Sequence, residues 1–352
     1  MAYASITKPS LHFNTALYTG TDAAKSVTGV GFQPDWTWIK CRSHGGNAAF
    51  SHILTDAARG VNKTLFTNTT DAQSTNYSNG YLSAFGTDGF TVTAGDAVSG
   101  VGRTYVGWNW KANGQGSSNT SGSINSTYTS ANTTAGFSIV TYTGNGSAGA
   151  TIGHGLGAVP KMIIVKCLND TQNWFVYHES IGATQLIRLN LNSAALSSSG
   201  SWNNTAPTSS VFSVGTESGT NQNGNLYVAY CFAEKKGYSR FSSYTGSANT
   251  DGPFVYTGFK PAWVMWKKTA TEDWGISDNK RDTFNVLQNK LRPNSNSQES
   301  TSNSHMDFLS NGFKFRSASG EFNGSGGTYI FMAFAEEPLV ANVGQSIPAT
   351  AK

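Results

Sequence analysis

The chain has 352 residues, enough for two or three domains at roughly 100–200 residues each, and only 12% of them are charged against a usual share of roughly 25%. So few charges beside 39 Gly, 20 Phe, 14 Tyr and 9 Trp exclude a helical bundle or an α/β enzyme, whose helices would carry far more Lys and Glu. The aromatic content excludes disorder, and a net charge of +4 spread over pairs such as Lys235-Lys236, Lys267-Lys268 and Lys280-Arg281 excludes a phosphate track, so no nucleic-acid partner is expected.

The opening MAYASITKPS lacks the charged stretch and apolar core of a secretory leader, and no apolar run approaches the roughly 20 residues of a membrane span. Synthesis in a cytosol without membrane insertion is expected. Self-similarity organises the chain. Tyr18-Thr19-Gly20, Tyr142-Thr143-Gly144 and Tyr244-Thr245-Gly246 each lead through a Gly-rich stretch to a proline and then a lysine at constant spacing: Pro34 and Lys40, Pro160 and Lys166, Pro261 and Lys267. The apolar segments between them read as largely buried strands begun by the proline. Phe50, Trp174 and Trp274 fall at one equivalent position. Leu65, Leu189 and Leu291 come after them, each opening a Leu-x-x-Asn that ends at Asn68, Asn192 or Asn294. These asparagines suit turns at strand ends. Short alternating pieces around Phe90, Phe212 and Phe313 come next. Tyr105, Tyr227 and Tyr329 then open a last strand that carries Trp110, Phe232 or Phe334 five residues on.

The chain therefore comprises three homologous units, and each must close as an antiparallel sandwich, because one open sheet would leave a face of aromatics in water. The units are placed at residues 1–111, 136–236 and 237–338. A Ser/Thr/Asn/Gly-rich linker at 112–135 shows no apolar periodicity, and a C-terminal tail occupies 339–352. On the last strand, Val106/Trp108/Trp110, Val228/Tyr230/Phe232 and Ile330/Met332/Phe334 form the larger and more apolar face. That face is expected to fill the core of its own unit, with the tyrosines turned away.

The pattern YTG…GF-x-P…K…W…L-x-x-N…TYIFMAFAE, most specific over Gly237–Lys268 with Trp274 and Asp278 to Arg281 after it, resembles a repeat of tailed-bacteriophage structural proteins, especially marine and cyanobacterial ones. The resemblance covers roughly residues 11–338. It implies a virion component whose repeats are lectin-like or jelly-roll-like β-sandwich modules. The expected function is non-enzymatic: a tail-fibre or receptor-binding protein used in host attachment. The alternatives are a capsid-decoration or head-fibre protein, and a carbohydrate-binding module or glycan hydrolase. Other virion proteins are the expected partners, with a host surface glycan as a further one. Closed copies, three favoured, are expected because appendages sit on symmetry axes.

Chemistry is thinly marked. No carboxylate pair recurs in all three units, and no GxSxG, P-loop or HExxH occurs, so no catalytic residue is assigned. Cys41, Cys167 and Cys231 lack the spacing of a zinc site or a disulfide framework, and neither metal nor cofactor is expected. Trp174 and Trp274 each follow a polar cluster and precede an ionisable residue, His178 or Asp278, with Arg281 beyond the latter. An exposed indole among such groups would stack a sugar ring, so Trp174, His178, Trp274, Asp278 and Arg281 are the candidate glycan contacts. The competing reading is that this tryptophan caps a core.

Overall fold

The computed structural model describes residues 4–43, 49–301 and 304–339. The described residues are nearly all β, with antiparallel sheets, three one-turn α-helices and a 3-10 turn at Pro9–Leu11, and no helix among them is long and apolar enough to cross a membrane. His44 and almost all of the expected tail at 339–352 lie outside the described residues.

One pairing scheme occurs three times. The first lobe orders Phe13–Thr19, Thr104–Trp110, Trp36–Cys41 and Ile53–Asp56. The second orders Phe137–Thr143, Leu226–Phe232, Met162–Cys167 and Phe175–His178, and the third Ser239–Thr245, Thr328–Pro338, Phe259–Lys268 and Gly275–Asp278. Register agrees as well as order. Trp110 lies opposite Phe13 and Trp36, Phe232 opposite Phe137 and Met162, and Phe334 opposite Ser239 and Trp263. A smaller sheet covers one face of each: Lys25–Thr28 with Gly89–Val92 and Leu82–Gly86, then Ala150–Gly153 with Val211–Val214, then Phe254–Tyr256 with Gly312–Phe315 and Met306–Leu309. These pairs of sheets form the expected sandwiches.

The Tyr-Thr-Gly motif closes one end of each sandwich. Tyr18, Tyr142 and Tyr244 stack on Tyr105, Tyr227 and Tyr329 with ring centroids 5.0, 5.1 and 4.9 Å apart. Each of the latter three hydroxyls is held from both sides. Tyr329 Oη donates to the Gly320 carbonyl at 2.6 Å and accepts from the Gly324 N–H at 2.7 Å, and Tyr105 and Tyr227 do the same in their lobes. The glycine is required by close approach: a Cβ on Gly20, Gly144 or Gly246 would sit 2.2, 2.4 or 2.3 Å from a backbone oxygen of the facing turn.

This arrangement corrects the facing of the last strand. Tyr105, Tyr227 and Tyr329 point into their own lobes, among the residues that fill the two-sheet interiors. The larger apolar face instead forms a core shared by all three lobes, where Trp36, Trp108 and Trp110 meet Phe137, Tyr230 and Phe232, and Trp263, Met332 and Phe334. The main sheets are buried on both faces, so apolar bulk alone could not tell an inner face from an inter-lobe one.

The linker expectation is corrected too. Strands Ser117–Asn119 and Ser126–Asn132 extend the second lobe's main sheet past Phe137–Thr143. Their buried positions are polar, which hid the alternation. Ser126, Thr129 and Ser130 are buried, and the Ser126 and Thr129 hydroxyls bond each other at 2.7 Å, which offsets the loss of their water partners.

Candidate functional site

The five candidate contacts are all buried: Trp174 and His178 at 0%, Trp274 at 1%, Asp278 at 0% and Arg281 at 7% exposure. An exposed glycan platform at these positions is therefore corrected to a set of inter-lobe joints. The flanking polar clusters occupy turns, whereas each indole folds beneath a seam.

The joints repeat cyclically. Trp174 Nε1 donates to the Phe66 carbonyl of the first lobe at 2.9 Å, and Trp274 Nε1 to the Arg188 carbonyl of the second at 2.9 Å. His52 Nε2 lies 2.9 Å from the Arg292 carbonyl of the third. His52, not Phe50, is thus the equivalent of the two tryptophans. Its N–H donates to Asn68 Oδ1 as the Trp174 and Trp274 N–H groups donate to Asn190 and Asn294. In the second lobe Asn190 accordingly replaces the expected Asn192, whose carbonyl accepts from the Glu272 N–H across the seam at 2.9 Å. Backbone bonds run in the same cycle, from Gln73 N–H to the Leu168 carbonyl, Ala195 N–H to Thr269 and Glu299 N–H to Arg42. The first lobe joins the second, the second the third, and the third the first. The chain closes a ring of three on itself.

Charge sits at two of the three seams. Asp56 binds Arg59, with Arg59 Nε 2.6 Å from Asp56 Oδ2, and that same oxygen accepts from Tyr230 Oη at 2.8 Å. Asp278 binds Arg281 at 2.5 Å and accepts from Trp108 Nε1 at 2.9 Å. Arg281 also reaches Glu299 at 2.8 Å, and Glu299 pairs with Arg42 of the first lobe at 2.7 Å. Burial alone would push the Asp278 carboxyl up, but Arg281 and the Trp108 indole outweigh it and hold the group below the ordinary carboxylate range. At the third seam His178 takes the equivalent place, and its Nε2 lies 3.1 Å from the Phe331 carbonyl. Burial drives His178 down to about 4, so the ring is neutral and donates to that carbonyl.

The constant lysines are a set whose role could not be seen in the sequence. Lys40, Lys166 and Lys267 are fully buried. Lys40 Nζ donates to the carbonyls of Phe50 at 2.6 Å and Asn296 at 3.1 Å, and Lys166 Nζ to Gln172 at 2.7 Å and Thr70 at 3.0 Å. Lys267 Nζ donates to Lys268 and Ala270 at 2.6 and 2.9 Å. Burial lowers all three to about 8. The signal was the fixed Pro-to-Lys spacing, which places a cation on the buried central strand in every lobe.

Among the described residues, no three His, Cys, Asp or Glu side chains converge as metal ligands. An open groove of about 280 Å³ runs along the first seam between Arg59, Lys63 and Gln73 on one side and Tyr128, Leu168 and Leu226 on the other. No curated protein and no solved structure matches this chain. A family model described as a domain of unknown function, DUF7483, matches residues 8–338, and the chain belongs to that family.

Proposed function

We propose that this protein is a non-enzymatic structural component of a tailed-phage particle, serving in host attachment as a tail-fibre or receptor-binding protein. The observation that carries the reading is the closed ring: three sandwiches share one aromatic core, and buried ion pairs and lysines bind the seams. Ionisable groups employed in this way make a stiff body whose loops keep fixed positions, which is what an attachment module requires. The repeat pattern of residues 11–338 supports the same assignment. The closed ring also favours a second reading, a decoration or head-fibre protein seated over a three-fold point of the shell. In either place the partners are other virion proteins, and copies gather in closed symmetry, three favoured.

The test is particle purification. After density-gradient banding and a high-salt wash, the protein should remain with the particles at a fixed copy number by quantitative mass spectrometry. Its release into the wash would overturn the assignment. Its position in an electron-microscopy map of the particle separates the tail from the shell.

A further inference from the structure

One depression lies away from the buried joints. It lies where the second lobe runs directly into the third, encloses about 550 Å³ and is lined by Glu234, Lys236, Ser239, Arg240, Tyr256 and Thr257. That volume falls within the range of small-ligand sites. Tyr256 is 55% exposed, and Phe254, two residues earlier on the same strand, is 45% exposed. Residues two apart on a strand share a face at a spacing of about 7 Å, so two rings stand side by side on the outside of the sandwich. Val255 between them points into the core. The equivalent strands of the other lobes, Lys25–Thr28 and Ala150–Gly153, carry no aromatic residue. The platform is particular to this place.

The remaining wall is polar and biased towards positive charge. Arg240 Nη1 donates to Glu234 Oε1 at 2.8 Å, and Glu234 Oε2 accepts from the Phe241 N–H at 3.3 Å. Arg240 Nε–H meets no acceptor among the described residues. Lys236 is exposed, so two cations stand beside one carboxylate. We infer that this depression binds an acidic oligosaccharide, a chain of uronate-type sugars. The apolar face of a pyranose stacks on Tyr256 and the next ring reaches Phe254, because both side chains leave the same face of one strand. Sugar hydroxyls donate to Glu234 and accept from Arg240, and the sugar carboxylate pairs with Arg240 and Lys236 by charge-assisted bonds.

This inference gives a ligand class to the attachment reading and rests on it for its biological purpose. Binding itself is tested on the purified full-length chain, so a negative result leaves particle membership standing. Trigalacturonate and neutral maltotriose are titrated into the protein by isothermal calorimetry. Trigalacturonate should bind at least about tenfold more tightly than maltotriose, and Tyr256→Ala should weaken it by about tenfold or more. Lys236→Glu, an exposed change remote from the cores, should weaken trigalacturonate while leaving the thermal melt unchanged. No heat from trigalacturonate up to about 10 mM, or equal affinity in wild type and Tyr256→Ala, overturns the proposal.

Discussion

Phe334→Ala probes the shared core at its most connected point. The Phe334 ring lies 5.2 Å from Phe13 and 5.6 Å from Trp110 of the first lobe, 6.2 Å from Phe232 of the second, and 6.0 Å from Trp263 of its own. It is 1% exposed, and the rings around it come from three separate sheets, so they cannot all collapse into the vacated space. Truncation should cost roughly 3–5 kcal/mol, the range for emptying a packed Phe site. All of the nine tryptophans except Trp202 and Trp266 belong to the shared core, so indole fluorescence in a urea titration reads it directly. The expected result is one cooperative transition moved to lower urea with little change of slope. Tyr329→Phe is the comparator. It keeps the ring stack on Tyr244 but leaves the Gly320 carbonyl and Gly324 N–H without their partner, at roughly 1–3 kcal/mol. A Phe334→Ala loss below about 1 kcal/mol, or a separate transition confined to the last third, would refute the shared core as the source of cooperativity.

The charged joints yield two further predictions. Arg281→Ala strands Asp278 and Glu299 beneath the seam between the third and first lobes. Urea titration should show a loss of roughly 3–5 kcal/mol, and a loss within about 1 kcal/mol would mean the pair is solvated. Lys40, Lys166 and Lys267 have folded values near 8 against an ordinary 10.5, so between these limits the unfolded chain binds more protons and stability must rise with pH. Cys41, Cys167 and Cys231 are raised above their ordinary 9.0 by burial and act oppositely above that pH, which confines the rise to about pH 8–9. The urea midpoint should climb through that window and climb less in Lys267→Met; a flat or falling wild-type profile rules the mechanism out.

The elements were legible because their constraints are local. Tyr-Thr-Gly marks a close backbone approach, and proline precedes the buried strand by two residues in the first two lobes, whereas Pro261 sits inside Phe259–Lys268 at a shift of register. The pairing of Thr104–Trp110, Leu226–Phe232 and Thr328–Pro338 with their neighbours is set by strand length and aromatic spacing. The features that were not legible depend on a second burial event. Trp174 and Trp274 sit beside polar turns and resemble exposed indoles, and only the neighbouring lobe's carbonyl shows why they are inside. Phe50 resembled them in type, while the true counterpart, His52, shares their N–H donor and not their bulk. The strand Ser126–Asn132 escaped notice because its buried positions are hydroxyl residues, Ser126 bonded to Thr129 and Ser130 accepting from the Asn113 N–H.

The seam whose joint holds no buried ion pair among the described residues is chemically consistent with its partners. At the first seam the group above Asp56 is the Tyr230 hydroxyl, and at the closing seam the group above Asp278 is the Trp108 N–H; both are donors. Their equivalent in the third lobe is Met332, which has no hydrogen to give. A carboxylate at position 178 would keep the Ser180 N–H but would be buried with neither an arginine nor a donor across the seam, at a cost of several kcal/mol. His178 reverses the polarity of the contact by donating to the Phe331 carbonyl, and with no carboxylate to balance, the arginine position is taken by the apolar Ile181. The same two lobes are joined at the surface by the partly exposed Arg240–Glu234 pair, beside the Lys235-Lys236-Gly237 connection. At the other two seams the buried carboxylate accepts from a single side-chain donor of the neighbouring lobe, Tyr230 Oη or Trp108 Nε1, and that match helps fix which faces meet. Buried carboxylates in this protein are thus placed where the neighbouring lobe presents a side-chain donor, and a neutral histidine where it does not.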